Sequence, residues 1–443
     1  MTYYVSKYID KIYYNDEYSI VYNYNILKCL LIKNKYVDYL FKNINKIIDE
    51  KYFNENLNEL IKKKIIYINE ESSTIDQYRE DLKNVKLPLE IRFIPSFNCN
   101  EKCDYCIAKN NMNEIREYFD TNLLTNLEKL INEINEKSLI GPYTEVKTTI
   151  IGGEPTIKKN WNITKKFIEF INKMFEKSEH KIITNGYGIN DEMLKECSKL
   201  NVKNFYLSYD ITSKNKYKEA ISKCMYMSLE KIIKKIISYD LNVIIDLKCD
   251  RESSLNKYIK ESLKDFYESG KLKILTSPII EHDEYDPLKS IQVDRHNITL
   301  YEKHEINDVG EKIKKFFSNE IKKPTLEKRV IRCGASHLSS ICIFPNGKVV
   351  PCGQLYTSKI SDNEILCDLK KLDFKNLKKF THDFYDDEEC NRCKDHYICG
   401  GKCYFSKNKK CNLQKYAVAL NKKKYVEKLK EYIEKRYNEN GRK

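Results

Sequence analysis

Between residues 86 and 280, short β-branched runs alternate six times with stretches of helical period, and this alternation restricts the chain more than any other feature. The strand candidates are Leu89–Ile94, Lys147–Ile151, Lys181–Thr184, Asn204–Leu207, Val243–Leu247 and Lys273–Leu275. Between them lie helical stretches such as Leu123–Lys137, Ile157–Lys177 and Lys216–Tyr239. Strand–helix repeats of this kind fold as an α/β unit with a parallel sheet, whose chemistry sits at the carboxyl ends of the strands.

The loop after the first strand carries Cys99-x3-Cys103-x2-Cys106. Three thiols at this spacing hold three irons of a four-iron cluster and leave the fourth iron for a small molecule, since such clusters are otherwise closed by four thiolates. Farther on come Cys333-x13-Gly347-x4-Cys352, then Cys390-x2-Cys393-x5-Cys399-x3-Cys403, then Cys411. The spacing Cys390-x2-Cys393 alone also suits zinc. A zinc-dependent binding protein is therefore the non-enzyme alternative, although zinc would not require the first set.

With Tyr105 before its last cysteine, the first set resembles the radical S-adenosylmethionine (SAM) enzymes, and the second resembles the seven-cysteine SPASM domain of peptide- and protein-modifying members. The resemblance implies a partial (β/α)6 barrel related to the eightfold barrel. It implies SAM and three [4Fe-4S] clusters. The SAM cluster would be held by Cys99, Cys103 and Cys106. The first auxiliary cluster would use Cys333, Cys352 and Cys403, and the second Cys390, Cys393, Cys399 and Cys411. The SAM contacts it implies are Tyr105, Gly152, Gly153, Glu154, Asn185 and Ser208. Gly152-Gly153-Glu154-Pro155 follows the second strand, where glycines expose backbone to a ligand and Glu154 can accept from the SAM ammonium. Relatives often carry an Arg twelve residues after the serine, whereas this chain has Ala220, so the residue that holds the SAM carboxylate is not identified.

Sulfatase-maturing relatives add a fourth ligand to the near cluster six residues after its first cysteine, and this chain has Ser339 there. Cys342 is the nearest substitute. Read as a two-residue Asn346-Gly347 turn, the hairpin places Cys342 opposite Pro351 and faces it away from Cys352, which leaves an open iron. Those relatives also have an Asp after the second SPASM cysteine, where this chain has Gly353. The run Arg332-Cys333-Gly334-Ala335-Ser336-His337 looks closer to maturases that join cysteine sulfur to carbon, as in sactipeptides and ranthipeptides. His337 is a candidate base, or else a satisfied surface histidine.

Residues 1–85 contain no cluster cysteines. Ile12–Tyr14 and Ser19–Tyr22 read as strands around the turn Asn15-Asp16-Glu17. Val37, Leu40, Phe41, Ile44, Ile47 and Ile48 form one helical stripe, and Leu57, Leu60 and Ile61 suggest a second helix before a strand at Ile65–Ile68. The pattern resembles a winged-helix-like recognition element that would bind a leader peptide at an open sheet edge. Residues 281–330 read as a helical connector, and 331–443 as the SPASM domain. Its final helix presents Tyr425, Val426, Leu429, Tyr432 and Ile433 as a docking face.

The net charge of +14 comes overwhelmingly from lysine in a chain rich in Asn, Ile and Tyr. That is a solvated surface, so no nucleic-acid partner is expected. No apolar run approaches a membrane span and the N-terminus does not read as a signal peptide, so no membrane partner is expected either. Of sixteen cysteines, ten fit cluster spacings, which places the chain in a reducing, anaerobic cytoplasm. The other six (Cys29, Cys197, Cys224, Cys249, Cys342 and Cys367) are expected to be buried structural thiols. The expected function is modification of a ribosomally made precursor peptide, with a flavodoxin- or ferredoxin-like electron donor and thioether cross-links as products. Sulfatase-maturase-like oxidation and carbon–carbon cross-linking are the alternatives.

Overall fold

The computed structural model describes residues 3–49, 57–68, 74–101, 106, 108, 111, 114–210, 230–249, 264–278, 324–326, 330–331, 333–353, 360–381, 390, 392–399 and 412–440. Cys103, Tyr105, Ala220, Cys224, Cys403, Cys411 and nearly all of the expected connector lie outside these residues.

The N-terminal part is built from β1 (Tyr3–Val5), β2 (Ile9–Tyr13), β3 (Tyr18–Asn23), β4 (Lys28–Lys33), α1 (Asn34–Lys42), β5 (Ile47–Ile48), α2 (Leu57–Lys62), β6 (Ile66–Tyr67) and α3 (Thr74–Asn84). β2, β3 and β4 form an antiparallel meander, while β5, β1 and β6 form a second small sheet. The expected hairpin is present, closed by Asn15 Oδ1, which accepts from the Tyr18 amide at 2.7 Å. The expected long stripe is divided: α1 ends at Lys42, Asn45 takes φ 59°, and Ile47–Ile48 pair with β1 instead of continuing the helix. β4 is a continuous apolar run because both faces of the meander are covered. Val21, Ile32, Val37 and Leu40 pack together on one side, and Tyr14, Ile20 and Leu31 meet the final helix on the other.

The six central strands all form: β7 (Leu89–Phe93), β8 (Glu145–Ile150), β9 (Lys177–Thr184), β10 (Val202–Asp210), β11 (Asn242–Cys249) and β12 (Leu272–Pro278). They are parallel and neighbour one another in chain order. The helices are α4 (Leu124–Lys137), α5 (Lys158–Met174), α6 (Asp191–Lys199), a helical run over 230–238, and α7 (Lys264–Glu268). Along β7, the buried Leu89, Ile91 and Phe93 face the helices, and the Phe93 ring stacks on Phe167 of α5 at 3.9 Å. The period of two therefore turns Glu90 and Arg92 to the inner face.

Beyond β7 the sheet is extended by β13 (Ser340–Ile343), β14 (Lys348–Val350) and β15 (Cys367–Asp368), with β13 parallel to β7. The final helix, α8 (Asn412–Asn440), returns to the N-terminal meander. There Tyr425, Val426 and Leu429 pack on Tyr14 and Ile20, and Tyr425 Oη lies 3.3 Å from Cys29 Sγ. Among the described residues no helix is long and apolar enough to cross a membrane.

Candidate active site

Three loops at the carboxyl ends of β7, β8 and β9 are tied to one another. The Gly153 amide donates to Ser96 O at 3.0 Å and the Glu154 amide to Asn98 O at 2.8 Å. Asn160 Nδ2 donates to Glu154 O at 2.9 Å, and its Oδ1 accepts from Ser96 Oγ at 2.7 Å. The glycines are required by this closeness. A Cβ on Gly153 would sit 2.0 Å from Asn98 O, and one on Gly152, at φ 139°, would sit 2.5 Å from Ser96 O. Their bare backbone thus admits the cysteine loop itself.

Glu154 is buried at 1% exposure. Its Oε1 accepts from the Thr156 amide at 2.9 Å and from the Thr156 and Thr184 hydroxyls, each at 2.6 Å. Its Oε2 accepts from the Asn185 amide at 2.8 Å. A buried carboxylate requires such donors; Oε1 receives three and Oε2 one, so Oε2 is the less occupied oxygen. Asn185 Nδ2 then donates to Asn100 Oδ1 at 2.9 Å, which joins the end of β9 to the cysteine loop. Ser208 takes an inward position of β10, since Phe205 and Leu207 are in the helix-side core.

Cys99 and Cys106 are half-buried, and Cys106 packs with Ile94, Phe97 and Ala108. The Glu101 amide points at Cys99 Sγ, 3.4 Å away, and the Asp395 amide at Cys393 Sγ at the same distance. Amide donors two residues along favour the thiolate form that iron requires. By this test the two cysteine loops fit iron–sulfur clusters. Cys390 and Cys393 lie on one backbone turn and Cys399 ends the helical turn His396–Cys399 that follows it; among the described residues no three potential ligands converge on one metal position. This module shares a core with Tyr22, Leu27 and Tyr78 of the N-terminal part, and Tyr397 Oη donates to Asp81.

The hairpin of Cys352 differs from its expected form. Three residues, Pro345, Asn346 and Gly347, close it, with Gly347 at φ 87° and its amide donating to Phe344 O at 3.0 Å. Cys342 therefore lies opposite Val350, and not Pro351. A one-residue slip exchanges faces. Cys342 shares an apolar cluster with Val350 and Cys352, fully buried, and burial pushes its thiol up to about 12. The register thus gives no reason to exclude Cys342 from the near site. Ser339 Oγ turns instead toward Gly334 O, 3.5 Å away. Cys333 precedes the turn Gly334–His337. His337 is buried, not a surface residue, and its Nδ1 lies 2.9 Å from Ser336 Oγ. Beside Gly353 a Cβ would meet the Arg92 guanidinium carbon at 2.9 Å, so a side chain there would compete with Arg92 for space.

Sequence reading did not find the inner-face residues Arg92, Thr149 and Lys181. The signal was available as polar residues alternating with apolar ones on central strands, where purely buried strands would be apolar throughout.

Residues 93–251 match the family model of the radical SAM superfamily. The matched span holds every proposed SAM contact and the first cysteine set. Among solved structures the chain is similar to SuiB of Streptococcus suis bound to precursor peptide SuiA. The two are 17% identical with a TM-score of 0.43, over 91% of this chain and 96% of that one. It is also similar to anSMEcpe with bound AdoMet, 17% identical at a TM-score of 0.46 over 77% and 93% of the two chains. No curated protein matches the chain.

Proposed function

We propose that the chain modifies a ribosomally made precursor peptide and forms thioether cross-links at its cysteines. The observation that carries this reading is the joining of the cysteine loop, Gly152–Glu154 and Asn185 at one end of the parallel sheet. The second cysteine set supports two further clusters, and a flavodoxin- or ferredoxin-like protein would supply electrons. The edges β2 and β4 are unpaired among the described residues, which suits a leader peptide that adds a strand.

Cys99, Cys103 and Cys106 would hold the cluster, which would supply the one-electron reduction of SAM that starts hydrogen abstraction from the peptide. The protein holds the reactants. Glu154 fixes the loops after β8 and β9 and leaves Oε2 the less occupied oxygen. Asn185 holds the cysteine loop, and Ser208 offers a hydroxyl on the inner face. The apolar set Ile94, Ile151 and Ile183 excludes water below the loops. Arg92 beside Gly353 argues against the carboxylate base of sulfatase-maturing relatives.

The test is co-expression with a short cysteine-containing open reading frame beside the gene. Each cross-link should appear as a loss of two hydrogens and vanish when the acceptor cysteine becomes Ala. The same mass loss in a peptide without cysteine would contradict the thioether reading.

A further inference from the structure

Below the SAM loops, the inner face of β7, β8 and β9 carries two rows of polar side chains. In the lower row Glu90 lies opposite Lys147, and Lys147 opposite Glu179, so the signs alternate. In the next row Arg92 lies opposite Thr149, and Thr149 opposite Lys181. Two cations there flank a threonine across two strand spacings, about 10 Å, with no acid between them. All six residues line one cavity of about 330 Å³, which Ser340 and Gly353 close on the side of the Cys352 hairpin.

The upper row is built to present positive charge. Arg92 Nη1 donates to Gly353 O, which fixes the guanidinium beside the hairpin. Lys181 is half-buried and makes no ion pair with any described residue; its ammonium lies 5.6 Å from the Tyr206 ring centre. The acid nearest along its own strand, Glu179, accepts from Asn204 Nδ2 at 2.7 Å. Burial, and then the Arg92 charge, hold the Lys181 pKa below the usual lysine range, while the Glu90 and Glu179 carboxylates of the same cavity act in the opposite direction. A partly buried cation beside a second cation is costly unless a carboxylate approaches it directly.

We infer that this cavity seats a carboxylate of the substrate peptide over Thr149, between Arg92 and Lys181. The inference rests on the reading of the chain as a peptide-modifying enzyme and adds the group by which the cavity selects its substrate. The SAM carboxylate is a poor occupant, because the next inward positions, Ile94, Ile151 and Ile183, form an apolar row beneath the SAM loops. Those positions lie two residues farther along each strand, about 7 Å. A carboxylate anchored below that row would leave neighbouring atoms of the same residue directed toward the loops. Proximity then fixes which carbon is presented.

The carboxylate could belong to an acidic side chain or to a peptide C-terminus. Saturation-transfer NMR on the full, iron-reconstituted chain distinguishes them, with N-acetylglutamate amide for the first, N-acetylglycylglycine for the second, and N-acetylglutamine amide as the neutral control. One carboxylate probe should bind about tenfold more tightly than the control, as a charge-assisted contact requires. Lys181→Met should remove the difference and Lys181→Arg should restore it. Equal binding of both carboxylate probes and the control by the unaltered chain would overturn the inference without recourse to any variant. So would undiminished discrimination in Lys181→Met. If the unaltered chain does not cleave SAM at all, the proposed function fails, while carboxylate binding stands or falls on its own readout.

Discussion

The carboxyl ends of β7–β9 and the middle of the same strands treat charge in opposite ways. At the ends, Glu154 is buried but receives four donors from three neighbours. In the middle, Lys181 has Arg92 in its row and no carboxylate. The first site holds its shape through its own hydrogen bonds; the second presents a charge that an incoming group must complement.

Breaking the self-sufficient end should have the largest effect. Glu154→Ala would leave two hydroxyls and two amides without their acceptor, at about 1–3 kcal/mol each. A fall in melting temperature of many degrees and loss of SAM binding by equilibrium dialysis are expected. Wild-type SAM affinity in this variant would show that the loops do not depend on Glu154.

His180 sharpens the comparison as a buried titratable group whose partners are complete and neutral. Its Nδ1 lies 2.7 Å from Thr148 Oγ1 and its Nε2 2.8 Å from Asn172 Oδ1, and burial lowers its pKa to about 4. The unfolded chain takes up this proton below about pH 6.5, the folded chain only below about 4. Stability should therefore be full above about pH 6.5, decline as pH falls through that window by ~3 kcal/mol, and level off below it. His180→Gln should flatten that part of the melting profile; an unchanged profile would show that other groups govern it.

In the middle of the strands the sign reverses. Lys181→Met should leave the melting temperature unchanged or raise it slightly, because it removes a half-buried cation from beside Arg92. A clear loss of stability would mean that Lys181 is satisfied within the fold. The smallest effect is spectroscopic. Cys342→Ala should alter the resonance of the near auxiliary cluster, since Cys342 shares the face of Cys352, while Ser339→Ala should not. Identical spectra for Cys342→Ala and the unaltered chain would place Cys342 outside that site.

Legibility followed the range of the interactions. All six central strands could be read, because each is a short β-branched run bounded by helical period. The cysteine, glycine and glutamate positions could be read because strand ends locate them. The hairpin register could not: it turned on whether two or three residues close the loop, and that single residue moved Cys342 to the other face. β4 shows no alternation because both its faces are covered, and Ile47–Ile48 fall on the helical stripe although Asn43 caps α1 and Asn45, at φ 59°, turns the chain into β5. The cation row was invisible because Arg92, Thr149 and Lys181 lie far apart in the chain and meet only through parallel pairing.

The most direct measurement is iron content and SAM cleavage after anaerobic reconstitution, for the unaltered chain and for one with Cys99, Cys103 and Cys106 replaced by Ala. The account predicts about twelve irons and formation of 5′-deoxyadenosine in the first, and about eight irons with no cleavage in the second. Stoichiometric zinc with little iron, or SAM cleavage that survives loss of the three cysteines, would contradict it.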